Sequence, residues 1–446
     1  MTIGKGRMRI KLAPAQVLVL GFAAVILAGA ILLTLPISSQ AHVRTPFIDA
    51  LFTATSATCV TGLIVVNTAT HWSTFGQLVI LALIQIGGLG IMTMATLFAL
   101  MVGRRISFRE RILIQEGIGK LDVAGVVKLT KYILASTFII EGTGALILFI
   151  RWLRDLPPAK AAYFGIFHAI SSFCNAGFDL WGDSLVRFVD DVTVNLVIGG
   201  LIIVGGLGFY VLADIWKHRR FSALNLHSKV VIRATVFLII AGTVLMYVLE
   251  MNNPATLGPL SFKGKVLASW FAAVTPRTAG YNSINVGAMT DAGLFLTIVL
   301  MFIGASPGST GGGIKTTTFT TLLLAVWTTI TGKSEVETFQ RRLAREVIDK
   351  ALVISMISLL LLLSVTLVLA ATQPARFLAV LFEATSGFGT VGLSMGITPT
   401  LTTLGKSLII LLMYAGRVGP LTLAMALTIR HSQANIRLPE DRVVIG

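Results

Sequence analysis

The sequence predicts an all-α polytopic membrane protein built from four tandem helix–pore loop–helix repeats in a pseudo-fourfold arrangement, with eight transmembrane spans. Three observations predict it. Of 446 residues, 55% are apolar and only 13% charged, against about a quarter charged in soluble chains. Apolar runs of about 20 residues recur along the chain, the length a helix needs to cross hydrocarbon about 30 Å thick. A glycine-bearing loop follows a short amphipathic stretch four times, at Gly62, Gly177, Gly280 and Gly392, so the repeat period is about 110 residues.

The first span covers 17–35. It follows Lys5, Arg7, Arg9 and Lys11 and lacks a small-residue cleavage site, so it reads as a retained span and not a signal peptide. The stretch 45–55 would be about 16 Å long as a helix, too short to cross. It leads into Thr58-Cys59-Val60-Thr61-Gly62-Leu63, and a second span covers 75–102. The order recurs with a span at 132–150, a short helix at 159–171, the loop Cys174-Asn175-Ala176-Gly177-Phe178 and a span at 192–216. The third copy has 230–249, 265–274, the loop Arg277-Thr278-Ala279-Gly280-Tyr281 and an interrupted span over 292–330. The fourth has 351–371, 376–385, the loop Gly389-Thr390-Val391-Gly392-Leu393 and 404–429. Each closing span carries a predicted glycine break, at Gly87, Gly205, Gly304 and Gly416, about 25 residues after its loop glycine. The repeat units are 1–103, 104–216 with its preceding cytoplasmic loop, 217–331 and 332–446.

The net charge is +16, but the basic residues cluster between apolar spans, which fits membrane topology and not nucleic-acid binding. Roughly two thirds of the Lys and Arg lie in 1–16, 103–131, 216–233, 331–350 and 430–446, so the positive-inside rule puts both termini in the cytoplasm of a plasma-membrane protein. The four loops then dip in from outside. Cys59 and Cys174 lie in apolar-flanked loops and imply no disulfide framework.

Irregular backbone at membrane depth is costly unless it lines water or is buried in protein. Four such loops around one axis would present main-chain carbonyls, hard neutral ligands able to replace the water shell of a large monovalent cation. Glycine permits the required backbone, and the short helices aim their negative dipole ends at the same cavity. The filter candidates are Val60, Thr61, Gly62, Asn175, Ala176, Gly177, Thr278, Ala279, Gly280, Thr390, Val391 and Gly392. Their flanking residues differ, which predicts unequal walls, looser selectivity than in a true tetramer and one well-formed potassium site. Ions are held by backbone carbonyls, with no other metal site.

The third closing span is the exception. Its centre reads Gly304-Ala305-Ser306-Pro307-Gly308-Ser309-Thr310-Gly311-Gly312-Gly313, where no helix continues. Unwound chain below the loops lies across the path and reads as a gate; a static lining or structural kink is the alternative. Lys315 closes this stretch, and Arg417 sits at matching depth in the last span. A cation at membrane depth is a functional candidate by default. Arg417 either clamps the segment through its carbonyls or hydroxyls and repels a cation on the axis, or anchors a neighbouring helix. Arg277 is expected to brace the third loop from behind, Glu383 and Asp49 to pair with such cations or shape the outer field, and Asp179 to lie in the outer mouth.

At these four loops, at 304–318 and at Ala415-Gly416-Arg417, the chain resembles the Trk/Ktr/HKT superfamily of potassium and sodium transporters over nearly its whole length. Its length without extra N-terminal spans is most like the bacterial Ktr membrane subunits. The resemblance implies a homodimer with one pore per protomer, seated on a cytosolic ring of nucleotide-binding RCK subunits like KtrA. It implies that ATP or ADP on that partner sets the gate, that sodium acts as an activator, and that potassium is the transported ion, with Gly62 in the position associated with potassium. The basic inner loops 104–131 and 333–350 would face the ring, although ordinary inside-positive charge explains them equally. No covalent cofactor is implied.

Two other classes fit less well. A carrier with broken helices would show inverted repeats, whereas these run parallel. An enzyme would need a nucleophile–base pair or metal-ligand spacing among the six His, and neither is visible. Gly311–Lys315 lacks the strand and spacing of a phosphate-binding loop.

Overall fold

Each closing helix begins on a side-chain cap of the same kind. Ser73, Asp191, Thr290 and Thr402 accept from the backbone N–H three residues on, at Gly76, Val194, Gly293 and Gly405, which satisfies one orphan donor of the first turn. Three of those third positions are glycine because the end of the preceding long helix or the turn after it packs on them: a methyl group there would press on the Ser38 carbonyl, the Glu250 carboxylate or the Gln373 amide.

The computed structural model describes residues 14–90 and 126–427. In order, the helices are α1 (Pro14–Thr34), α2 (Phe47–Thr58), α3 (Thr74–Leu89), α4 (Val126–Trp152), α5 (Pro158–Phe173), α6 (Val192–Leu207), α7 (Phe209–His218), α8 (Leu226–Glu250), α9 (Phe262–Val274), α10 (Asp291–Phe302) and α11 (Thr316–Ile330). A small antiparallel hairpin, β1 (Glu337–Thr338) with β2 (Arg341–Arg342), leads to α12 (Arg345–Thr372), α13 (Phe377–Gly389), α14 (Thr403–Val418) and α15 (Pro420–Leu427). The basic loop expected at 104–131 lies largely outside the described residues, as do the second span beyond 90 and both termini.

Among the described residues, four helices are long and apolar enough to cross a membrane, five if the bent pair α6–α7 is counted as one span. The four lie in α1, α4, α8 and α12, and no more than 33% of any is buried within the protein. Their outward faces carry Ile139, Phe237 and Leu367 at 67%, 62% and 72% exposure. Such faces would be a liability in water and suit contact with lipid. The short helices α2, α5, α9 and α13 are heavily buried behind them.

Two expectations need correction. The breaks in the closing spans are not at Gly87, Gly205 and Gly416, which stay helical. They come three residues later, at Gly90, Gly208 and Gly419, with φ of 84°, 95° and 94°. The helical glycines are close-approach points instead: a methyl group would strike the carbonyl of Thr58, Phe173 or Phe388, at or near the end of the preceding short helix. The expected span 192–216 is not straight either, since α6 and α7 meet at 95°.

Candidate functional site

The four loops share one backbone conformation. Val60, Asn175, Thr278 and Thr390 have φ of 58°, 61°, 70° and 50°, and the glycines two residues on have φ of 92°, 70°, 75° and 95°. Three of the four non-glycine residues are β-branched, for which left-handed φ is a true outlier. Each such residue costs about 1–3 kcal/mol and persists where the surrounding structure over-determines it, typically at a functional site.

Side chains at a recurrent position hold this shape. Ser56 and Ser386 accept from Gly62 N and Gly392 N, each at 3.0 Å, while Ser171 donates to Phe178 O and Thr275 to Tyr281 O. Three of these hydroxyls stand six residues before the loop glycine and the fourth five before. The sequence reading missed them; the recurrent serine at that offset was the available signal.

The structure brings all twelve loop candidates together, and the glycines close a ring. A methyl group at Gly62 would lie 2.5 Å from Ala176 O and 3.1 Å from Gly177 Cα. One at Gly177 would lie 2.7 Å from Ala279 O, and one at Gly280 would lie 2.6 Å from Val391 O. One at Gly392 would press on Thr61 O, returning to the first loop. Each loop therefore sets a carbonyl against its neighbour's glycine all the way round, and no side chain fits at any of the four positions. Lateral ties support the ring. Tyr281 Oη donates to Phe178 O at 2.8 Å, and the Thr278 hydroxyl donates to the Asn175 amide at 3.3 Å, whose nitrogen donates to Ser172 O and Ile202 O.

Residues 304–313 form an excursion that starts and ends at one point, because Ile303 and Ile314 pair side by side and Gly304 N donates to Ile314 O. Gly304 packs on Gly312 of its own segment, unlike the other three closing-span glycines. Gly311 lies under the Thr278 hydroxyl, and Gly312 N donates to Thr390 Oγ1 at 3.0 Å. The segment thus touches the residues at the start of two loops, on the side from which all four ascend. Ser306 N and Thr310 N donate to Gly206 O and Gly205 O, Gly308 O accepts from Phe209 N, and Pro307 O lies against Gly208. Ser306 Oγ accepts from Thr316; Ala305 and Gly313 face Gly311 and Gly389, and Ser309 Oγ has no partner among the described residues.

Both cations reach this segment. Lys315 Nζ donates to Gly311 O at 2.8 Å. Arg417 Nη1 donates to Thr310 O, and its Nη2 to Gly87 O and Gly88 O. One guanidinium thereby joins the last closing span, the broken segment and the first closing span. Arg417 occupies the register position of Gly88 and Gly206, directly after the close-packing glycine, so a long side chain replaces none.

The remaining candidates resolve as follows. Arg277 is buried behind the third loop, its Nε unpartnered among the described residues. Asp49 pairs with Lys406 at 2.6 Å. Glu383 accepts from Thr398. The Asp179 carboxylate accepts from Gly182 N and Ser184 N of its own loop at 2.6 and 3.2 Å.

The family model described as TrkH, a cation transport protein, matches residues 13–438. The chain is 46% identical over 437 residues to Ktr system potassium uptake protein B of Bacillus subtilis, covering 98% of each. It is 44% identical to the potassium/sodium uptake protein NtpJ of Enterococcus hirae over the full length of both. The potassium transporter TrkH from Vibrio parahaemolyticus shares the fold, with a TM-score of 0.75 at 17% identity over 95% of this chain and 87% of that one.

Proposed function

The chain belongs to the TrkH family of cation transport proteins, and from that membership we propose that it is the membrane subunit of a potassium uptake system, passing K+ through the ring of four loops. The observation that carries this reading is the closed circuit of glycine–carbonyl contacts. Main-chain oxygens from four loops around one point suit a dehydrated alkali cation. The names of the Bacillus and Enterococcus relatives support potassium as cargo. The second name keeps sodium as an additional cargo, consistent with unequal loop walls.

In this reading the chain crosses the membrane eight times with both termini cytoplasmic, in four pseudo-symmetric units with the boundaries given above. The segment 304–313 with Lys315 and Arg417 is the gate. Arg417 holds it closed by tying Thr310 to the first closing span and sets a positive charge beneath the ring. Two copies assemble on a cytosolic nucleotide-binding ring, whose ATP or ADP state biases the segment, and sodium activates. The lettered naming of the Ktr relatives supports a system of several subunits.

Uptake by transport-deficient cells and by proteoliposomes tests this reading. Gly62→Ser shifts preference toward sodium; an unchanged ion ratio removes the first loop from the filter. Deleting 308–312 raises flux and weakens regulation; unchanged flux removes the gate.

A further inference from the structure

On the outer flank of the second and third repeats, two cavities adjoin. The upper, about 470 Å³, is lined by Arg151, Arg154, Asp190, Asp191 and Lys263 with the aliphatic Ile147 and Ile150. The lower, about 540 Å³, lies between α6, α8 and α9 and is walled by Leu196, Thr243, Phe262, Val266 and Trp270. Val192 and Lys263 border both, so a charged pocket opens directly into an apolar trough. Thr243 returns its hydroxyl to Ile239 O and adds no free polar group to the trough. Trp270 fits against Gly199, where a methyl group would strike its ring, and this lets the indole recess and deepen the floor.

The charges of the pocket are unevenly engaged. Arg151 is bound to Asp155 at 2.8 Å and to Asp191 at 2.6 Å, and Asp191 also caps α6. Arg154, Lys263 and Asp190 have no ion pair or hydrogen bond among the described residues. The uncommitted groups therefore sum to one positive charge. They sit just past the end of α4, before the start of α6 and at the start of α9, the level of a headgroup layer when α4 and α8 span the bilayer.

We propose that this cleft binds an anionic phospholipid, its phosphate held between Arg154 and Lys263 and one acyl chain lying along Leu196, Val266 and Trp270. One phosphodiester matches the single positive charge of the uncommitted groups, Arg154 and Lys263 against Asp190, while Arg151 stays engaged by its own two carboxylates. A zwitterionic lipid would bring its own cation to these groups, and a free anion would leave the trough unfilled. The proposal rests on the membrane placement above and needs nothing of the transport mechanism.

Native mass spectrometry of the full-length protein in neutral detergent tests it, with phosphatidylglycerol, phosphatidylcholine or inorganic phosphate as probe. Phosphatidylglycerol should be retained in preference to phosphatidylcholine. Arg154→Gln and Lys263→Gln should each weaken it about fivefold, the effect of one basic group at a lipid surface, and weaken phosphatidylcholine less, so that the preference between the two lipids shrinks. Leu196→Trp, which fills the trough, should lower retention of both lipids, and phosphate alone should not bind. Thermal melting of each variant confirms that it is folded. Equal retention of the two lipids by the unmodified protein, or undiminished phosphatidylglycerol on the double glutamine variant, overturns the proposal. Full competition by phosphate would mean a free-anion site, and a changed oligomeric state in Leu196→Trp with lipid retention intact would mean that a second copy covers the trough. Because no step measures flux, these outcomes are independent of the transport assays.

Discussion

The ring of loops and the segment beneath it are both irregular backbone rich in glycine, yet they are held in different ways. In the ring, each glycine faces a neighbouring carbonyl and the strained residue two before it repeats in all four loops. Main chain contacts main chain, and any side chain collides. Residues 304–313 are paired by main chain with the second closing span and within the segment. Their ties to the loops and to the other closing spans, however, run through replaceable groups: the Thr390 hydroxyl, the Thr310 hydroxyl on Phe173 O, and the Arg417 guanidinium, with the Lys315 ammonium bracing Gly311 O. Glycine–carbonyl packing leaves the ring no second arrangement, whereas the side-chain ties of the segment can be released one at a time. In the proposed function this difference matches selection by the ring and control by the segment.

Breaking the ring gives the largest expected effect. Alanine at Gly62, Gly177, Gly280 or Gly392 meets both left-handed φ and a carbonyl oxygen, and strain of about 1–3 kcal/mol adds to the overlap. Rubidium uptake should fall at least tenfold or lose ion preference in each of the four. A single tolerant position would open the circuit.

Releasing the segment comes next. Arg417→Gln removes charge-assisted bonds to Thr310 O and Gly87 O. At about 1.5–3 kcal/mol for a bond to a charged group, flux without a regulatory partner should rise by ten to a hundredfold, give or take, with ion preference kept. Thr390→Val isolates one neutral bond, to Gly312 N, and keeps a β-branched residue in the loop. It should raise flux about fivefold, given about 1 kcal/mol per hydrogen bond, and Thr390→Ser should restore the normal rate. An effect of either variant on ion preference would blur the division between ring and segment.

The smallest effect should come from the Asp49–Lys406 pair, which joins the first and last repeats outside the ring. Both side chains are about 15% exposed. Asp49→Asn should cost about 1 kcal/mol in detergent unfolding, more than an exposed pair, with Lys406→Met on the same background recovering part of it.

The sequence made the ring legible and the closing spans only partly so. The loop glycines, the short helices and the broken third span follow from composition and period, which act locally. Gly90, Gly208 and Gly419 were passed over for the preceding glycines because adjacent glycines look alike in sequence. Only φ separates the residue that ends a helix from the one that lets a carbonyl approach. The serines that fix the loops were hidden because hydroxyls are common in membrane helices and their partners lie across a turn. The two backbone amides that hold Asp179 were not legible either, because sequence does not report which N–H groups fold onto a carboxylate.

Anomalous diffraction from crystals grown in rubidium tests the central claim most directly. The account predicts a peak on the axis of the ring, equidistant from the carbonyl oxygens of Thr61, Ala176, Ala279 and Val391. Rubidium bound only elsewhere, with that position empty, would contradict it.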